Sequence, residues 1–94
     1  MNKQEFYKHA RTDSRGPLEG IKVLEATNFG AGPICGMVLV DLGATSIKCE
    51  MPGAGDPVRQ MYPYLQNDRV EGSTWYQTFN RGKQTITLDF RQPE

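Results

Sequence analysis

The stretch IKVLEATNFGAGPICGMVLVDLGATSIKCEM, residues 21–51, decides the fold. Its opening, Ile21-Lys22-Val23-Leu24-Glu25-Ala26, sets β-branched Ile21 and Val23 on one parity and predicts a strand. Thr27 to Gly32 is a loop of mostly small residues, and Pro33 suits the first position of a helix, where its missing N–H costs nothing. Ile34 to Leu42 is apolar nearly all round, the pattern of a helix wedged in a core, and Gly43 stands where a glycine stop belongs. Ser46 to Met51 then alternates, with Ile47, Cys49 and Met51 facing one way and Lys48 and Glu50 the other. Strand, helix and strand within about thirty residues form a βαβ unit, whose crossover is right-handed almost without exception.

Outward from this unit the chain is less regular. On the N-terminal side, Gly16-Pro17-Leu18-Glu19-Gly20 is a turn that launches the first strand. Residues 1–15 are mostly polar and read as a flexible or loosely docked arm. On the C-terminal side, Pro52-Gly53-Ala54-Gly55-Asp56-Pro57 breaks the chain, and Val58 to Gly72 holds no period for long. Thr74 and Gln77 have the spacing of a capping box that opens a short helix through Phe79, closed by Asn80 to Gly82. Thr85 to Phe90 alternates again, with Ile86, Leu88 and Phe90 on one face, and predicts a third strand. Gln92-Pro93-Glu94 has the form of a further helix start. The expected class is α/β: one βαβ unit, a further short helix and a third strand, residues 16–94 together being part of a larger parallel-sheet domain.

Composition excludes several functions. Eleven basic and eleven acidic residues cancel, which removes any strong electrostatic argument for nucleic acid or an anionic membrane. No apolar run approaches the ~20 residues that cross a bilayer, and the polar start Met1 to Phe6 lacks the apolar stretch of a secretory signal. Cys35 and Cys49 each sit inside an apolar pattern, which fits reduced thiols in a cytoplasmic protein better than a disulfide framework.

Four features carry potential chemistry. Gly30-Ala31-Gly32-Pro33-Ile34-Cys35-Gly36 joins strand to helix, where glycines admit a close ligand and a helix start offers free N–H groups to phosphate. Glu50 follows about 20 residues later, where a dinucleotide fold places its ribose-binding acid. The pattern is GxGxxxG rather than GxGxxG, so a tight strand-to-helix turn and a nucleotide contact both remain open. Cys35 lies in a first helical turn that favours a thiolate, yet the only histidine, His9, is in the arm, and the reading is a packed core thiol. Asp56 reads as a local turn former paired with Arg59 on the surface. Arg91, just past the third strand, is either an anion contact at the edge where open α/β sheets bind ligands or a free surface arginine. Trp75, Tyr76 and Phe79 fall on helical spacing as core, and Asp41 sits at a helix edge.

These segments together resemble the N-terminal end of the family III CoA-transferases, the group of formyl-CoA transferase, carnitine-CoA transferase and α-methylacyl-CoA racemase. The matching stretches are Gly16 to Glu25, Ala31 to Cys35, Asp41 to Ala44, Ile47 to Glu50, Pro52 to Arg59 and Asn80 to Asp89, in order from Gly16 to Glu94. The resemblance implies an incomplete Rossmann-like domain within a longer chain, and two subunits threaded through each other as an interlocked homodimer. It implies CoA or acyl-CoA as substrate rather than a permanently bound cofactor, a small carboxylic acid as the second substrate, and no metal. CoA contacts carry over to Phe29 and Gly30, to Met51, and to Leu88, Asp89, Phe90 and Arg91. Many members carry arginine where Met51 stands. The nucleophilic aspartate of the transferases falls beyond this chain, so no catalytic residue is assigned among Asp41, Asp56 and Asp89. Racemase within the same family, an NAD-binding oxidoreductase domain, and an inactive truncated product are the competing readings.

Overall fold

The computed structural model of the chain describes residues 1–10, 13–65 and 72–93. Three strands form one sheet in the order β1-β2-β3: β1 (Lys22–Glu25), β2 (Thr45–Glu50) and β3 (Gln84–Thr87), all parallel. Around them lie α1 (Lys3–Phe6), α2 (Ala31–Asp41) between β1 and β2, a 3₁₀ turn at Pro57–Gln60, and α3 (Thr74–Phe79) before β3. The expected α/β architecture is therefore the observed one.

Local chemistry accounts for where each element starts and stops. Helix α2 begins ahead of Pro33, with Gly30 as its N-cap and Ile34 donating the first backbone bond to the Gly30 carbonyl at 2.8 Å. Pro33 therefore occupies the third helical position, where an N–H would have had no partner within the helix. The helix stops as expected at Gly43, whose φ of 105° is left-handed; a Cβ there would lie 2.9 Å from the Arg15 carbonyl oxygen. Helix α3 is capped by Ser73 rather than Thr74, because the Ser73 hydroxyl oxygen accepts from the Tyr76 N–H while its one proton is shared between the Val58 and Met61 carbonyls. β3 ends at Thr87, short of the expected Phe90. Asp89 folds its carboxylate back onto the Arg91 N–H, an Asx-type turn that takes Phe90 out of the ladder.

The arm contains structure of its own. Asn2 and Glu5 form a reciprocal capping box around α1, and every residue of that helix is exposed. Within the irregular stretch after the 3₁₀ turn, Tyr64 bridges Ser73. Residues 66–71 of that excursion, and Glu94 of the expected final helix start, lie outside the described residues.

The covered side of the sheet is not the apolar one. Pairing sets Leu24 beside Ile47 and Cys49 beside Ile86 on one face, and Glu25 beside Lys48 on the other. α2 lies over the second face: a Cβ on Gly36 would meet the Glu25 carboxyl. Ser46, Lys48, Glu50 and Glu25 are consequently buried, whereas Leu24 on the opposite face is 72% exposed. Helix α2 itself buries only Pro33 and Gly36 and leaves Ile34, Cys35 and Val38 exposed. The expectations of a helix wedged in a core and of a packed Cys35 thiol do not hold for the described residues, because the sheet beneath α2 meets it with charged groups along one narrow contact line.

Candidate functional site

Because the three strands are parallel and adjacent, their C-terminal ends share one rim, the edge at which open α/β sheets bind ligands. Phe29 and Gly30 follow β1, Met51 follows β2, and Leu88 to Arg91 follow β3. Leu88 donates its N–H to the Glu50 carbonyl at 2.9 Å, so the third segment stays tied to the second beyond the end of its strand. Phe29, Leu88 and Phe90 are each about half exposed there, offering flat apolar surface. Arg91 projects outward and is held by Asp89, with Nε 2.9 Å from Oδ1 and a second nitrogen 2.9 Å from Oδ2. Those hydrogen bonds keep the Asp89 carboxyl below its ordinary range.

Phe29 has a φ of 70°, left-handed backbone that costs a non-glycine residue about 1–2 kcal/mol. Its N–H donates to Oδ1 of Asp56 at 3.0 Å. Asp56 is fully buried; Oδ1 also accepts from the Val58 N–H at 2.9 Å, and Oδ2 pairs with the equally buried Lys48 ammonium. The expectation of a surface Asp56–Arg59 pair is thus corrected. The turn at residues 52–55 carries Asp56 back over the middle of β2, where Lys48 needs a partner, and a buried lysine without one is costly.

Arg59 instead grips Glu50, with Nε 3.1 and 3.2 Å from the two carboxylate oxygens and a terminal nitrogen at 2.8 Å, while its guanidinium stacks 3.6 Å from the Tyr76 ring centroid. Burial, then the nearby Glu50 carboxylate, pushes the Tyr76 hydroxyl up to about 12, so it stays protonated. That hydroxyl is buried beside Glu50 without completing a hydrogen bond of normal geometry. Glu50, wholly engaged by Arg59, is not presented to a ribose. That removes the structural support for the NAD-binding reading.

A third cluster lies under β1. Glu25 accepts from Lys83 at 2.8 Å, from Thr27 at 3.1 Å and from Ser46. Burial alone would raise the Glu25 carboxyl, but these bonds and the Lys83 charge outweigh it and hold the group below its ordinary value of 4.5. The Asn80 side-chain oxygen accepts from both buried ammonium groups, Lys48 at 2.8 Å and Lys83 at 3.1 Å, and so links the two ion pairs. Of this network the sequence singled out Phe29, Glu50, Asp56 and Arg59, whereas Glu25, Lys48, Asn80 and Lys83 were given no part in a site. Lys48 in mid-strand was the available signal, since a lysine at the centre of a middle strand needs a partner.

An apolar cleft of about 290 Å³ opens beside the first rim loop, lined by Phe29, Gly30, Met61, Trp75 and Phe79. The expected site contributes only Phe29 and Gly30 to it; the others were missed. Of the three expected core aromatics only Tyr76 is buried, while Trp75 is 42% exposed, its ring 5.5 Å from that of Phe79. Gly30 has an ordinary negative φ, and a Cβ on it would meet nothing nearer than the Phe79 ring at 3.9 Å. Neither backbone nor packing demands glycine there. Among the described residues no cluster of His, Cys, Asp and Glu is placed to hold a metal, and no helix is long and apolar enough to cross a membrane.

The order of these elements and the rim they build define an open parallel α/β sheet, and the sequence model of CoA-transferase family III matches residues 18–94; the chain belongs to that family. It is 46% identical over 79 residues to the succinyl-CoA–D-citramalate CoA-transferase of Chloroflexus aurantiacus, covering 83% of this chain and 19% of that protein. It is 43% identical over 81 residues to the succinyl-CoA:glutarate CoA-transferase of Mus musculus, covering 86% and 18%. A crystal structure of a CAIB/BAIF family protein from Brucella suis superposes with a TM-score of 0.75 at 40% identity, over 85% of this chain and 21% of that one. The chain thus spans about a fifth of the length of these relatives.

Proposed function

We propose that this chain forms the CoA-binding edge of an enzyme that transfers CoA from an acyl-CoA thioester to a carboxylic acid, with residues 16–94 as the first part of its larger domain. The observation that carries the reading is the common rim, where Phe29-Gly30, Met51 and Leu88 to Arg91 stand side by side on three consecutive strand ends. Exposed apolar side chains suit the adenine, and Arg91 with the N–H groups at the start of α2 suits the phosphates. Met51 brings no charge, so Arg91 carries the cationic contact. The nucleophile is an aspartate outside these residues: it attacks the thioester carbonyl, the C–S bond breaks, and CoA leaves as thiolate with an acyl-enzyme anhydride formed. The thiolate then attacks the aspartyl carbonyl, releasing the donor acid, and the acceptor carboxylate repeats the sequence in reverse. Asp41, paired with Arg81 at a helix end, Asp56, buried against Lys48, and Asp89, held by Arg91, are all committed elsewhere.

The Chloroflexus aurantiacus and Mus musculus relatives are CoA-transferases, which favours transfer over racemisation. The reading includes an interlocked homodimer in the cytoplasm, with CoA entering as a substrate and not as a resident cofactor. Calorimetric titration of the intact gene product tests it: CoA binds and NAD does not, and Gly30→Ser, which crowds the cleft and adds a helix cap, weakens CoA by about fivefold without lowering the melting temperature. Binding of NAD in place of CoA would overturn the assignment. Assay with acyl-CoA and a free acid then separates transfer from racemisation, and no turnover of either kind would favour an inactive product.

A further inference from the structure

We infer that Asp56 is a positioning residue for CoA, which it never touches: by holding the Phe29 N–H from below, it fixes the left-handed turn that aims Phe29 and Gly30 at the rim. The inference rests on the CoA-transferase reading of that rim. Four observations meet at this carboxyl group. Phe29 is the only non-glycine residue with positive φ among the described residues, and such a conformation persists only where its surroundings hold it. Its N–H has Asp56 Oδ1 as partner, at 3.0 Å, from 27 residues away in the chain. Asp56 is itself immobilised, fully buried, with Lys48 on Oδ2 and the Val58 N–H on Oδ1. Lys48 in turn is held by the Asn80 oxygen at 2.8 Å, so the anchor reaches through β2 to the end of α3, the helix whose Trp75 and Phe79 form the opposite wall of the apolar cleft. One carboxylate therefore fixes the distance between the two walls, Phe29-Gly30 on one side and α3 on the other. A ligand group at the cleft meets a surface already in its bound shape, which avoids an ordering cost on binding.

A plain Asp56 substitution would strand the Lys48 charge and confuse folding with positioning. The discriminating experiment uses charge-neutral pairs in the intact enzyme: Lys48→Met with Asp56→Asn, which keeps an acceptor for the Phe29 N–H, against Lys48→Met with Asp56→Leu, which keeps the shape and removes the acceptor. The asparagine pair is expected to hold KM for acyl-CoA within about threefold of the unmodified enzyme; the leucine pair raises it about tenfold or more, with kcat changed by less than about threefold. Equal KM values in the two pairs, or a loss confined to kcat, overturn the inference. Should the leucine pair not fold, amide hydrogen exchange on the unmodified enzyme decides: a Phe29 N–H slowed about a hundredfold or more without ligand supports the anchor, and one exchanging as a free loop overturns it. Absence of CoA binding to the unmodified enzyme overturns the CoA reading and this inference together, whereas CoA binding with equal KM values overturns this inference alone.

Discussion

A glycine inside a helix is a cost unless something occupies the space its side chain leaves, and at Gly36 the occupant is the Glu25 carboxyl group. A Cβ there would sit 2.2 Å from the Glu25 carboxyl carbon, and Glu25 is only 4% exposed, with no room to withdraw. Gly36→Ala in the intact protein is therefore expected to cost about 3 kcal/mol, from overpacking and from disturbing the Lys83–Glu25 pair, read as a lower denaturant midpoint with unchanged slope. The same arithmetic sorts the glycine-rich loop residue by residue. Gly32 is required because a Cβ would approach Thr27 to 2.7 Å, Gly36 because of Glu25, and Gly30 by neither packing nor φ. What reads in the sequence as one nucleotide-type motif is two packing glycines and one that leaves a cleft open. The spacing showed that close approaches occur here; it could not show to what, because Thr27 and Glu25 are neighbours of the helix only after β1 and α2 fold together.

At the scale of elements, β2 shows how alternation identifies a strand without saying which side is covered. Lys48 and Glu50 read only as the side opposite Ile47, Cys49 and Met51, yet that side, with Ser46, lies beneath α2 and α3 and is satisfied group by group. Such pairs add little net stability compared with apolar packing, but removing one partner costs about 3–5 kcal/mol. The pairing gives stability an acid limb. Glu25 is held below its ordinary value of 4.5, so its contribution is complete above that pH and is lost as pH falls through the lowered folded value. Glu25→Gln is expected to be much less stable than the unmodified protein at pH 7, with the gap narrowing below about pH 4; parallel denaturation curves at the two pH values check it. A gap independent of pH would show that the Glu25 charge does not contribute. The ends of the elements were readable where a single residue decides them, as at Gly43, and were displaced where a side chain competes, as with Ser73 at α3 and Asp89 after β3.

For the whole molecule, the surplus is apolar surface on the wrong side. Leu24 at 72% exposure, with Ile86 and Leu88 at 46% each, marks a sheet face with no described element over it. Ile34, Cys35 and Val38 add a second open strip on α2. Patches of this kind are interaction surfaces or aggregation sites. The 94-residue chain alone is expected to self-associate at micromolar concentration. Leu24→Thr with Ile86→Thr, which keeps strand propensity and removes apolar area, would shift it toward monomer in sedimentation velocity. Monomeric behaviour of the unaltered chain would show that the face needs no cover.

Sequence alone determined the strand–helix–strand order, the place of Phe29 in the loop after the first strand, and the family, because each depends on near-neighbour periodicity or on motifs short in sequence. Tertiary structure alone decided that the buried face is the charged one, that Asp56 belongs to Lys48 and Arg59 to Glu50, and that Met61, Trp75 and Phe79 wall a cleft beside Gly30. The reason is that a buried charge is settled by whichever opposite charge the folded chain brings within a few ångströms, and that choice is made across the sheet and not along the chain.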